Sequence, residues 1–93
     1  MIRVLLVEDQ TLVRQGLRSM LALSGDLEVI AEGEDGLQAL DLAPAHRPDV
    51  MLLDYRMPHL DGLGVLRGLT ALGALPPTLI LTTRSEEHTS ELQ

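Results

Sequence analysis

The run Val50-Met51-Leu52-Leu53-Asp54-Tyr55-Arg56-Met57-Pro58 decides the reading of this chain, together with its counterpart Val4-Leu5-Leu6-Val7-Glu8-Asp9. Each is a short apolar run that closes on carboxylates. Such runs, bounded by turn residues, read as strands buried on both faces, as in a parallel sheet. Parallel sheets carry their sites outside the carboxyl ends of the strands. Glu8, Asp9 and Asp54 are therefore expected to converge at one sheet edge. Carboxylates packed there repel one another in a partly desolvated space, so the cluster calls for a bound divalent cation or a protonated member.

Outward from these runs the pattern alternates strand and helix. Ile2 to Val7 is the first strand, and Leu12, Val13, Leu17, Met20 and Leu21 recur at helical spacing from Thr11 to about Leu23, with Gly25 as the stop. Leu27, Val29 and Ala31 alternate with Glu28 and Glu32, which suits a second strand at a sheet edge. Leu37, Leu40 and Ala43 make a short amphipathic helix, opened by Glu34 or Asp35 and closed before Pro48. A third strand is expected from Asp49 to Leu53. Leu63, Leu66 and Leu69 give a third helix, and Pro76-Pro77 precede a fourth strand from Thr78 to Leu81. The order βαβαβαβ implies parallel pairing through right-handed crossovers, hence an α/β sandwich.

The bulk numbers narrow the class. A chain of 93 residues holds one domain with a modest core. Its net charge of -7 and pI of about 4.7 argue against direct nucleic-acid binding, which takes clustered cations. Cysteine is absent, so disulfides and thiolate metal sites are excluded. The first apolar run is too short for a signal peptide or a membrane span, and a cytoplasmic location is expected. All the basic residues are arginines: Arg3, Arg14, Arg18, Arg47, Arg56, Arg67 and Arg84.

Glu8-Asp9 after strand one, Asp54 ending strand three, the Asp54-Tyr55-Arg56-Met57-Pro58-His59-Leu60-Asp61-Gly62 loop and Thr82 after strand four together resemble the receiver domain of two-component response regulators. The loop wording, with Arg47-Pro48-Asp49 ahead of strand three, is most similar to regulators that carry a helix-turn-helix output domain. The resemblance covers residues 1–83 and implies a flavodoxin-like fold with strand order 2-1-3-4-5, an order that belongs to the family and is not read from the pattern.

What the resemblance implies about function is specific. A sensor histidine kinase's phosphohistidine would give its phosphoryl group to Asp54, with Mg2+ as cofactor. Asp9 and Asp54 would ligate the ion, the Arg56 backbone carbonyl would join them, and Glu8 would act through water. The hydroxyl of Thr82 would contact the phosphoryl group and rearrange with it. A carboxylate fixed at a strand end is a competent nucleophile, and phosphoryl transfer needs mostly positioning and charge neutralisation. Taken singly, Glu8 reads equally as a solvated acid and Thr82 as an ordinary strand residue. Pro58, Asp61 and Gly62 read as loop geometry and a helix N-terminus, and His46, His59 and His88 as surface residues with no ligand spacing.

The chain also departs from the family. A complete receiver continues with a fourth helix, a fifth strand and a fifth helix, and carries a lysine after strand five. The partial receiver of residues 1–83 is instead followed by Arg84-Ser85-Glu86-Glu87-His88-Thr89-Ser90-Glu91-Leu92-Gln93, which resembles the conceptual translation of a short-read sequencing adapter. Against that, Thr83 and Glu86 satisfy a capping-box pattern. Losing one preorganised donor at a transferring group costs roughly 2.7–4 kcal/mol in other enzymes, so slow or absent phosphorylation is expected. An unpartnered Thr78-Leu79-Ile80-Leu81 edge would favour marginal stability and a homodimer.

Two other readings compete. A receiver-like interaction module that never takes phosphate would be indifferent to Asp54→Asn. A haloacid dehalogenase-like phosphatase would need a D-x-D pattern after strand one, which Glu8-Asp9-Gln10-Thr11 does not supply.

Overall fold

The computed structural model describes residues 1–82, so the expectations for the tail, its adapter origin and its capping pattern alike, lie outside the described residues. Seven elements follow one another: β1 (Ile2–Val7), α1 (Thr11–Leu23), β2 (Leu27–Gly33), α2 (Gly36–His46), β3 (Val50–Asp54), α3 (Gly62–Ala71) and β4 (Thr78–Leu81). The strands form one sheet in the order β2-β1-β3-β4, and all pairs are parallel. This is the flavodoxin-like α/β sandwich expected, with four strands among the described residues.

The continuous apolar runs are explained by burial on both sides. Alternate residues of a strand point to opposite faces. Leu5, Val7, Met51 and Leu53 meet Ala39 and Ala43 of α2 and Val65 and Leu69 of α3 on one face. Val4, Leu6 and Leu52 point the other way and are covered by Leu17 and Leu21 of α1. Fully burying a leucine of this kind contributes about 1.5–3 kcal/mol, so β1 and β3 anchor the domain.

Three expectations shift. The third strand runs from Val50 to Asp54, one residue later than the Asp49 to Leu53 expected. Asp49 still bonds β1, its N–H donating to the Arg3 carbonyl and its carboxylate accepting the Arg3 N–H, both at 2.8 Å, while Asp54 stays in the ladder opposite Leu81. On α1, Leu12 and Met20 are 82% and 67% exposed, because the helix lies on β1 and β2 and packs Leu17 and Leu21 against them. On α2 the buried stripe is Gly36, Ala39 and Ala43, and Leu37 is exposed. Small residues let α2 approach closely: a Cβ on Gly68 of α3 would stand 2.8 Å from Leu40.

Element ends follow local chemistry. Asp35 caps α2 by accepting the Gln38 N–H at 2.9 Å, and Asp61 caps α3 by accepting the Gly64 N–H at 2.9 Å. After α1 the chain turns at Gly25, with φ +79°, a backbone state that glycine adopts without a Cβ penalty. β4 lies at the sheet edge, with Leu79 and Ile80 exposed.

Candidate metal and phosphoacceptor site

The site is assembled by strand register. β1 and β3 pair in parallel with Val7 opposite Leu53, so the next residues, Glu8 and Asp54, emerge side by side at the carboxyl edge. Asp9 follows Glu8. One carboxylate oxygen from each of Glu8, Asp9 and Asp54 lies within 4.8 Å of the others. The three acids expected from the sequence are thus brought together.

Their environment is the less expected part. Glu8 is fully buried and Asp54 is 4% exposed, so Glu8 is no solvated acid. Glu8 Oε2 accepts the Gln10 backbone N–H at 2.9 Å. Its Oε1 and the Oδ1 of Asp9 are buried with no hydrogen-bond partner among the described residues. Burial pushes the Glu8 carboxyl up to about 7, aided by the charges of Asp54 and Asp9 and opposed by the Gln10 N–H. Burial also raises Asp54, with the Asp9 charge adding to it, against a hydrogen bond from the Arg56 backbone.

Orphaned buried acceptors are costly unless something satisfies them. A hard divalent cation fits: the donors are all oxygen, the local charge is negative, and Mg2+ needs only one or two carboxylates beside its waters. Among the described residues, Glu8, Asp9 and Asp54 are the residues that would hold it.

The remaining predicted residues are placed by neighbouring elements. Arg56 lies in the loop leaving β3. That loop is closed by the Gly62 N–H donating to the Tyr55 carbonyl at 2.7 Å, and a Cβ on Gly62 would meet Tyr55 Cα at 3.0 Å. Asp61 and Gly62 therefore act through geometry, as their sequence context implied. Tyr55, 42% exposed, directly follows Asp54, and its N–H donates to the Leu81 carbonyl at 3.0 Å. Thr82 stands one residue beyond the Asp54–Leu81 pair, at the same edge.

Two features escaped the sequence. Arg14, with a side chain 11% exposed, donates from Nη1 to the Glu8 carbonyl at 2.7 Å and pairs with Glu32 at 3.2 Å. Arg18 joins Glu32 at 2.8 Å. The α1 cations thereby tie the ends of β1 and β2 together beside the acids. His59, in contrast, bonds Asp35 across the loop. Both pairings join residues too far apart in sequence for any local spacing to announce them.

No helix among the described residues is long and apolar enough to cross a membrane.

Known proteins share this sequence and fold. The chain is 44% identical over 92% of its length to protein-glutamate methylesterase/protein-glutamine glutaminase 5 of Myxococcus xanthus, of which it covers 25%. It is 42% identical over 92% of its length to the probable transcriptional regulatory protein NarL of Mycobacterium tuberculosis, of which it covers 39%. The chain thus spans well under half the length of these curated relatives. Among solved structures, the signal receiver domain of the putative response regulator NarL from Mycobacterium tuberculosis superposes with a TM-score of 0.77 at 43% identity, covering 87% of this chain and 64% of that one. A LuxR-family DNA-binding response regulator from Staphylococcus aureus gives 0.82 at 31% identity, over 98% of this chain and 76% of that one. A sequence profile of the response regulator receiver domain matches residues 4–92, and the chain belongs to the response regulator receiver family.

Proposed function

We propose that this chain is the phosphoacceptor part of a two-component system, taking a phosphoryl group from a sensor histidine kinase onto Asp54 with Mg2+. The observation that carries this reading is the pair of buried, unpartnered oxygens, Glu8 Oε1 and Asp9 Oδ1, in the same three-acid cluster as Asp54. In the reaction an Asp54 carboxylate oxygen forms a bond to phosphorus, and the P–N bond of the phosphohistidine breaks. The imidazole leaves with the bonding electrons. Pinned at the end of β3 and paired in register with β1 and β4, Asp54 spends little further entropy in reaching an in-line geometry.

Asp9 and Asp54 are assigned as direct ligands, the Arg56 carbonyl as a third, and Glu8 as a ligand through water. When bound, Mg2+ supplies charge neutralisation to the acids and to the phosphoryl oxygens. The Thr82 hydroxyl is assigned to donate to a phosphoryl oxygen. The receiver controls rather than catalyses an output reaction, its own transfer apart. Two relatives are named as DNA-binding or transcriptional regulators, which favours transcription as the process controlled in the cytoplasm, through an output domain outside this chain. The exposed Leu79 and Ile80 on the β4 edge favour a second copy of the chain as a partner. Residues 84–93 are assigned to an adapter-derived sequence beyond the receiver, and resequencing the parent locus tests that.

The test of the main reading uses phosphoramidate, a small donor with a P–N bond, and mass spectrometry of the 93-residue chain. With Mg2+, the wild type is expected to gain one phosphoryl group on Asp54, slowly, because the chain holds no lysine. Asp54→Asn is expected to gain none. Equal labelling of the variant, or labelling indifferent to Mg2+, overturns the reading.

A further inference from the structure

His59 combines an unusual backbone state with a bond to a neighbouring helix cap. It sits in the β3–α3 loop with φ +71°, in the left-handed region that non-glycine residues seldom occupy, although histidine is enriched there. Holding a side chain in such a state costs free energy, so something in the surroundings must offset it. Its ring Nδ1 lies 2.9 Å from Asp35 Oδ2, and Asp35 is at the same time the cap of α2. The next residue, Leu60, packs against the same helix start: a Cβ on Gly36 would strike the Leu60 carbonyl, so the loop and α2 are in backbone contact there. The Asp35 carboxyl is held below its ordinary value, by the Gln38 N–H and then by His59, which keeps it an acceptor through the neutral range.

This loop begins at Asp54 and carries the Arg56 carbonyl. Its course is therefore fixed at one end by β3, at the other by the Asp61 cap and the Gly62–Tyr55 hydrogen bond, and in the middle by His59 and Leu60 on α2. We propose that His59 and Asp35 are positioning residues for the divalent-cation site, a latch that docks the middle of the β3–α3 loop on α2 and so sets the course of the backbone at Arg56 beside Asp54. The inference rests on the metal-site reading above. The ring is 62% exposed, so the pair lies at the surface of the domain.

Two substitutions separate the latch from folding. Asp35→Asn keeps an amide oxygen to cap α2 but removes the charge facing His59. His59→Gly frees the positive φ and removes the ring. Mg2+ is titrated into the wild type and both variants at pH 8, following amide shifts of Asp9, Asp54 and Arg56, with the β1 amides checking the fold. An exposed pair of this kind predicts a loss of Mg2+ affinity of about two- to fivefold in each variant. Unchanged affinity in either variant overturns the latch while the metal site stands. A wild type that does not bind Mg2+ overturns both.

Discussion

Glu8 and Asp54 stand side by side on adjacent parallel strands, one register step beyond the Val7–Leu53 pair, Glu8 fully buried and Asp54 nearly so. Two like charges are thereby held in a place that penalises each of them. The domain's stability and its affinity for a cation are consequently opposed properties of the same contact.

That opposition fixes the pH dependence. Glu8 titrates from an ordinary 4.5 to about 7 in the folded chain, and Asp54 moves the same way. The folded state therefore binds protons more tightly than the unfolded one. The contribution is fully present below about pH 4.5 and is lost as pH rises through 7. Urea unfolding with a chelator should show less stability at pH 7.5 than at pH 5, by roughly 2–3 kcal/mol from Glu8. Equal stability at the two values would contradict the burial of these acids.

Mg2+ should reverse the sign above neutrality. Its ligands must be ionised, so binding stabilises the folded chain at pH 7.5 and releases protons near pH 6.5. Calorimetric titration in two buffers of different ionisation enthalpy checks the proton release.

Asp54→Asn removes one of the repelling charges and keeps the shape. In chelator at pH 7.5 the variant should unfold at a higher urea concentration than the wild type, by about 1 kcal/mol, and gain less from Mg2+. A destabilised variant would show that Asp54 accepts hydrogen bonds worth more than the repulsion it suffers.

Arg14 and Arg18 share Glu32 but should differ in cost. Arg14→Met leaves the Glu8 carbonyl without its donor and Glu32 without its more buried partner, and should lose about 1–2 kcal/mol. Arg18→Ala, at a side chain 52% exposed, should stay within about 0.5 kcal/mol. Thermal unfolding of the two variants side by side decides it.

Gly36→Ala places a methyl group against the Leu60 carbonyl, which is backbone and cannot rotate away. The variant should lose about 1–3 kcal/mol, and the loop amides from Tyr55 to Gly62 should exchange faster. Hydrogen exchange resolves whether the damage is confined to that loop.

The sequence made β1, β3 and the three acids legible because both signals are local: apolar runs of strand length, each closed by carboxylates. The strand order was legible only by resemblance. What remained hidden is non-local. The bond from the Arg3 backbone N–H to the Asp49 carboxylate joins residues distant in sequence. On α2, Ala43 and Leu40 face inward as their spacing implied, but Ala39 is buried where Leu37 is not, since close packing on the sheet and on α3 favours a small side chain. Helical spacing on α1 marked Leu12 and Met20 as inward, but periodicity cannot report how wide a surface waits for the helix. The depth at which Glu8 is buried, and the pairings of Arg14 with Glu32 and of His59 with Asp35, depend on which loops meet at the sheet's edge.

Tyr55 is the chain's sole aromatic residue apart from its histidines, with no tryptophan or phenylalanine anywhere, and it follows Asp54 directly. The near-ultraviolet absorption and emission of the whole molecule consequently originate at the acidic site. In most proteins an optical signal averages over many rings in the core. Here it is a single-point probe, so a change in tyrosine emission on adding a cation or a phosphodonor reads out the neighbourhood of Asp54 without any label being attached.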